Sequence, residues 1–396
     1  MKAASALDYR ELARRRLPRF LFDYIEGGSY AEVTLRRNLH DLEQVTLRQR
    51  VLRDVSNVEI ATELFGQKLA MPVALGPVGF AGMCARRGEV QAARAAEAAG
   101  IPFCLSAMAV CSMDEVAAGT TRPFWVQLYM IRDRAVMRDL MASARELGCT
   151  ALVFTVDVPV GAVRYRDMRA GLIGSAGLGP AAGRLWQAMQ RPAWAWDVGA
   201  RGRPHGLGNI APVLNGKAGL DDFFAWIGAN LEPGISWKDL DIIRSEWKGP
   251  LIIKGVLDVE DAREVVKLGA DGLVVSNHGG RQLDGAPSTA EILPRIADAI
   301  GEDLTLLVDG GVRSGLDVVR MLALGAKGVL LGRAWAYALA AAGEGGVAHL
   351  LKLMEAEMRV AMALAGVNRV AGIDRQALAI RQGGFPWQDF LGGGGL

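Results

Sequence analysis

Apolar residues recur along this chain in short runs, many of them β-branched, and most are followed by a longer stretch with helical spacing. Eight runs predict strands buried on both faces: Met71–Leu75, Ile101–Ser106, Phe124–Leu128, Ala151–Val156, Leu251–Lys254, Gly272–Ser276, Thr305–Val308 and Gly328–Leu331. The intervening periodicity predicts helices over Gly88–Ala99, Asp133–Leu147, Val259–Leu268, Ala290–Ala299 and Gly315–Leu324. Gly100, Gly148, Gly269 and Gly325 stand where helix C-termini favour glycine. Eight strand–helix units of this kind predict an α/β fold, a closed (β/α)8 TIM barrel. An open doubly wound sheet is the alternative, but no GxGxxG pattern follows the first strand.

The spacing breaks once. Between the fourth and fifth strands lies a long insertion, about residues 165–240. Its Gly171–Gly183 portion lacks a period and reads as a mobile loop. Beyond it Trp186, Trp194, Trp196, Phe223, Phe224 and Trp226 are interleaved with arginines, which suits a lid, a partner surface or a membrane-facing patch. The chain reads as one domain, 1–396, with an N-terminal helical segment, a barrel over about 71–341, and a C-terminal helix and tail over 342–396. Gly383–Leu396 is a glycine-rich tail.

Composition adds boundaries rather than chemistry. The 396 residues are 51% hydrophobic with a net charge of +2, so no basic surplus points to nucleic acid. Cys84, Cys104, Cys111 and Cys149 lack CxxC spacing and read as buried free thiols of a reducing compartment, not as metal ligands. No apolar run is long enough to span a bilayer, and the first twenty residues lack a signal-peptide core, so a cytoplasmic location is expected.

In a barrel the C-terminal ends of the strands line the site. Here all eight are polar or glycine-rich: Gly76–Gly79, Ser106, Gln127 with Tyr129, Thr155 with Asp157 and then Arg164, Lys254, His278 with Arg281, Asp309–Arg313, and Gly332–Arg333. Gly310, Gly311, Arg313, Gly332 and Arg333 offer open amides and two guanidiniums where barrels commonly hold a phosphate. Ser106, Gln127 and Thr155 suit the edge of a polar heterocycle, and Lys254 a ring that becomes anionic on reduction. Arg164 and Arg281 suit a carboxylate, with Tyr24 and Tyr129 as hydrogen-bond donors. His278 is the candidate base and Asp309 its orienting partner. Taken singly, Lys254, Asp309 or Ser106 is as readily an ordinary strand-end residue; their succession is the signal. The stretch Ser276–Asp284, Ser-Asn-His-Gly-Gly-Arg-Gln-Leu-Asp, brings a base and a fork-shaped cation to one place on a glycine turn.

From Asp8 through Pro18–Gly28 to about Gly366, and above all at Ser276–Gly285, the chain resembles the FMN-dependent L-2-hydroxy acid oxidoreductases. Thr34–Asn38, Ala85–Gln91, Trp194–Gly199, Ile235–Leu240 and Gly315–Arg320 carry a likeness to the respiratory L-lactate dehydrogenase branch of bacteria. The resemblance implies that Pro77, Val78 and Gly79 lie against the flavin, and that Ser106, Gln127, Thr155, Lys254 and Ser276 bind its ring system. It further implies Asp309, Gly310, Gly311, Arg313, Gly332 and Arg333 around the ribityl phosphate. Tyr24, Arg164 and Arg281 would hold the substrate carboxylate, Tyr129 the hydroxyl, and His278 would take a proton. The implied reaction is L-lactate to pyruvate, with electrons passing to a membrane quinone or cytochrome. Hydride and carbanion routes both remain open. Alternatives are an oxidase using oxygen and an (S)-mandelate-type dehydrogenase; Gly79 follows the dehydrogenase pattern, and Met108 bears on the substrate side chain. A homo-tetramer or larger, peripheral on the inner face of the cell membrane, is implied as well.

Overall fold

The computed structural model describes residues 2–172, 178–211, 226 and 228–379. An antiparallel hairpin, β1 (Thr62–Leu64) and β2 (Gln67–Leu69), precedes the eight expected strands. These are β3 (Val73–Leu75), β4 (Cys104–Ser106), β5 (Trp125–Tyr129), β6 (Ala151–Thr155), β7 (Leu251–Val256), β8 (Gly272–Val275), β9 (Thr305–Val308) and β10 (Gly328–Leu331). They pair in parallel in the order β3-β10-β9-β8-β7-β6-β5-β4. A parallel bridge between Leu75 and Phe103, with Leu75 N–H donating to Pro102 C=O at 2.9 Å, brings the two ends together. The result is the (β/α)8 barrel that the spacing predicts.

Side-chain alternation then determines what the barrel contains. Ala74, Cys104, Trp125, Val153, Ile252, Val274, Leu307 and Leu330 form one buried interior cluster with Leu64 and Leu69 of the hairpin. Phe65, at the hairpin turn, packs edge-on against Trp125 at 5.8 Å and closes the lower mouth. The hairpin left no apolar run to find, because each arm buries only its last residue. Two positions further along each strand, on the same inward face, stand Gly76, Ser106, Gln127, Thr155, Lys254, Ser276, Asp309 and Gly332. An apolar layer thus underlies a polar one at the C-terminal mouth.

The described part of the insertion carries more helix than expected. Leu178–Met189 is a helix, with Pro180 in its first turn where a missing N–H costs no bond. The second half of the predicted Gly171–Gly183 loop is therefore helical, while residues 173–177 lie outside the described ones. Phe223, Phe224 and the tail at 383–396 also lie outside them. Trp194 is core, its Nε1–H donating to Met83 C=O at 2.8 Å, whereas Trp186 and Trp196 are exposed. All four cysteines are buried and unpaired. The C-terminal helical stretch Arg333–Ala365 breaks at Ala342 and Gly343, beside the expected barrel boundary.

The N-terminal helix Val33–Gln44 holds the His278 loop in place. Asn38 and Asn277, both buried, exchange amide hydrogen bonds at 2.8 Å in each direction. Asn38 Oδ1 also accepts from Thr289 N–H, and Asp284 accepts from Ala31 and Thr34 N–H at the start of that helix. Asn38→Ala is expected to strand these partners and cost about 2–4 kcal/mol in denaturant unfolding. Unchanged stability would show that other bonds hold the loop.

Candidate active site

A cavity of about 410 Å³ opens at the C-terminal mouth of the barrel, within the size range of cofactor and substrate pockets. Tyr24, Tyr129, Arg164, His278 and Arg281 line one part of it. Pro77, Val78, Gly79, Thr155 and Lys254 line another, and Asp309, Gly310, Gly311, Arg313, Gly332 and Arg333 a third. Three expected residues do not line it. Ser106, Gln127 and Ser276 are buried among its lining residues, where Ser106 Oγ donates to Gln127 Oε1, Gln127 Nε2 donates to Thr155 Oγ1 and Ser276 Oγ accepts from Lys254.

His278 adopts a left-handed backbone, φ 56°, and its N–H donates to Ser276 Oγ at 3.0 Å. At Gly280, φ 73°, an added Cβ would meet Leu35 N at 2.5 Å, so only glycine permits this approach to the N-terminal helix. The Nδ1 partner of His278 is Asp157, at 2.9 Å. This corrects the expectation that Asp309 orients the imidazole. Asp309 instead pairs with Lys254 Nζ at 2.9 Å, and Lys254 also donates to Ser276 Oγ at 2.8 Å. The reason is lateral position: Asp157 follows β6 and rises into the space where β7 bulges. Gly255 makes that bulge, with φ 109°, and a Cβ there would lie 2.5 Å from Asp157 Cγ. A lysine-glycine pair in a strand, opposite an acid two residues past a strand end, was the available signal.

The electrostatics support a neutral imidazole beside an ionised acid. Burial pushes the His278 pKa below its ordinary value, against the opposing pull of Asp157. Burial also works against Asp157, but His278 and then Lys254 hold its carboxyl below the usual range. Being ionised, Asp157 only accepts, so Nδ1 carries the proton and Nε2 is the nitrogen left for the cavity. Burial opposes the Lys254 ammonium too, yet Asp309 and Asp157 together hold it above its ordinary value.

Two guanidiniums line the cavity together with the imidazole. Arg281 Nη1 donates to Tyr24 and Gly27 carbonyls at 2.6 and 2.7 Å, with its Cζ 4.8 Å from the Tyr24 ring centroid. Arg164 Nε donates to Arg281 C=O at 3.4 Å, and burial, then Arg281, pushes its pKa down to about 10. Tyr24 and Tyr129 are pushed up by burial, so both remain hydroxyl donors. Arg333 donates to the carbonyls of Ile25, Gly27 and Gly279 at 2.8–2.9 Å, leaving two of its five N–H groups for an anion. Met108, Val158, Ala162 and Leu231 add an apolar wall drawn from the loops after β4 and β6 and the far end of the insertion. Leu231 is placed by a bridge to Ile131, a pairing with no local sequence signal.

The residues present fit FMN. An apolar strip at Pro77, Val78, Leu330 and Leu331 faces the cavity together with the Lys254 cation, and Arg313 and Arg333 line the same space. Asp309 Oδ1 is buried without a hydrogen-bond partner among the described residues, an acceptor suited to a polyhydroxyl chain.

Comparison with known proteins agrees. Residues 13–380 match the family described as FMN-dependent dehydrogenase. An L-lactate dehydrogenase of Caulobacter sp. (strain K31) is 64% identical over 96% of this chain and 99% of its own. One of Stenotrophomonas maltophilia (strain R551-3) is 59% identical over the same shares. Among solved structures, the monotopic membrane protein (S)-mandelate dehydrogenase superposes with a TM-score of 0.89 at 35% identity, covering 96% of this chain and 100% of that one. A mandelate oxidase gives 0.80 at 39% identity, covering 96% and 98%. With a matched family over nearly its whole length and a barrel mouth that fits the cofactor, this chain belongs to the FMN-dependent dehydrogenases, oxidoreductases that use FMN.

Proposed function

We propose that the protein oxidises L-lactate to pyruvate, with electrons passing onward to a membrane quinone or cytochrome. The observation that carries the reading is the Asp157–His278 pair, which engages Nδ1 and leaves Nε2 to a cavity that Arg164 and Arg281 also line. FMN supplies the two-electron acceptor. Arg164 and Arg281 hold the substrate carboxylate, and Tyr129, with Tyr24, donates to the oxygen substituents. His278 Nε2 takes the proton that leaves the substrate, and Asp157 stabilises the imidazolium that forms. Lys254 would supply positive charge to the bound ring system, with Asp309 and Ser276 keeping its ammonium in place. Relatives named L-lactate dehydrogenase at 64% and 59% identity support lactate over other 2-hydroxy acids. The flexible thioether of Met108 and the apolar wall with Val158, Ala162 and Leu231 favour an (S)-mandelate-type substrate as the second reading, in keeping with the solved neighbours.

We also propose peripheral attachment to a membrane through the insertion. Leu185, Trp186, Met189 and Trp196 are each more than half exposed, and no helix among the described residues is long and apolar enough to cross a bilayer. Aromatic side chains of this kind favour the interfacial zone, and the monotopic mandelate dehydrogenase lends support.

L-Lactate, and not D-lactate, should bleach the flavin anaerobically; (S)-mandelate outpacing L-lactate in the same assay would replace the first reading by the second. His278→Gln should slow flavin reduction by about 10²- to 10⁴-fold with FMN retained. Arg281→Lys should raise KM by about 10- to 100-fold with a smaller change in kcat. Because the imidazole pKa lies below its ordinary value, the reduction rate should be flat above neutrality and fall as pH drops through that pKa. Asp157→Asn should move this limb to still lower pH while lowering the plateau; a limb left in place would remove Asp157 from its role. Trp186→Ser combined with Trp196→Ser should abolish sedimentation with phospholipid vesicles, and an unaltered protein that never sediments would end the membrane proposal.

A further inference from the structure

Asp167 lies on the short helix Tyr165–Arg169, three residues beyond Arg164, and is fully buried. It does not line the cavity, and neither of its carboxylate oxygens has a hydrogen-bond partner among the described residues. Its nearest cation is Arg164, with Nη1 3.7 Å from Oδ2, an ion pair longer than a hydrogen bond. A carboxylate stripped of water and left without donors is strongly disfavoured unless opposite charge surrounds it. Four groups interact with it. Arg164 precedes it on its own segment, Arg281 comes from the glycine turn, and Asp23 and Tyr24 come from the helix Arg19–Glu26. Burial raises the Asp167 pKa and Asp23 adds to this, while Arg281 and Arg164 oppose. Burial lowers the Arg164 pKa most and Arg281 lowers it further, so the two guanidiniums also disfavour each other.

We propose that Asp167 is a positioning residue that balances the Arg164–Arg281 pair from behind the cavity wall and thereby sets how tightly the pair grips an anion. The inference rests on the reading of that pair as the substrate-carboxylate clamp. Asp23 is already paired with Arg19 and Arg166, so Arg164, Arg281 and the Asp167 carboxylate leave a single net positive charge, which one bound carboxylate neutralises. With Asp167 neutral, the clamp carries an excess charge in a poorly solvated place, so a carboxylate ligand is held too firmly and leaves slowly. Asp167 therefore trades affinity for release of the 2-oxo acid.

The test uses the FMN-loaded protein with pyruvate as the anionic probe, its binding followed by calorimetry. Asp167→Asn, with Asp167→Ser as a second neutral replacement, should bind pyruvate on the order of tenfold more tightly. KM for L-lactate and kcat should fall together, with FMN content unchanged. A merely structural role predicts the opposite, weaker binding through a displaced Arg164. Unchanged or weaker pyruvate binding in either folded variant overturns the inference. So does failure of both to fold, since a carboxylate that makes no hydrogen bond should be replaceable by a neutral side chain. If Arg281→Lys binds pyruvate as tightly as the unaltered protein, the clamp reading itself falls; if only the Asp167 variants disappoint, this inference falls alone.

Discussion

The Lys254 ammonium sits inside a closed barrel at 4% exposure, where an unpaired charge would not persist. Its salt bridge to Asp309 and hydrogen bond to Ser276 Oγ satisfy it, and Asp157 lies close enough to add to its charge balance. Each of those partners does a second thing. Ser276 Oγ accepts from His278 N–H and so fixes where the imidazole leaves the strand. Asp157 accepts from His278 Nδ1 and leaves the other nitrogen for a substrate. Asp309 keeps one oxygen unengaged among the described residues, at the part of the cavity lined by Arg313 and Arg333. Cation, two acids and imidazole form one electrostatic unit, and moving any member changes the protonation of the others.

That unit is built by the barrel, but the substrate end is completed by residues outside it. The carbonyls of Tyr24, Ile25 and Gly27 orient Arg281 and Arg333, although neither guanidinium has a carboxylate within salt-bridge distance among the described residues. Carbonyl acceptors orient a guanidinium without cancelling its charge, which suits groups reserved for an anionic ligand. The N-terminal segment is thus a wall of the site as well as a flank of the fold, and the Asn38–Asn277 exchange ties it to the histidine turn. The insertion adds Arg164, Asp167 and Leu231 at its two ends, so the longest interruption of the repeat contributes to both the charge and the apolar lining of the mouth.

Much of this was legible in the order of residues, because period-two alternation in a strand buried on both faces has one physical outcome. If Ile252 points inward, Lys254 does too, and the same holds for Val274 and Ser276 or Leu307 and Asp309. The eight strands, the polar mouth, and the arrival of His278 and Arg281 in one cavity follow from spacing alone. Ser106, Gln127 and Ser276 stand in that same polar layer, but their side chains are hydrogen-bonded to one another, to Thr155 or to Lys254, a matter that alternation does not encode.

Which acid reaches the imidazole was not encoded locally either. Asp157 and Asp309 both follow strands at the C-terminal end of the barrel; only the lateral order of β6, β7, β8 and β9, and the room left by the Gly255 bulge, place one beside His278 and the other beside Lys254. The burial of Asp167 against two arginines and the bridge that brings Leu231 to the mouth likewise join segments far apart in the chain. Sequence by itself determined the barrel, the inward parity of each strand and the residue types at its mouth, since these depend on neighbours two to four positions away. Tertiary structure decided the pairing of charges, because Coulomb and hydrogen-bond energies depend on distances of a few ångströms between strands that only the closed fold sets.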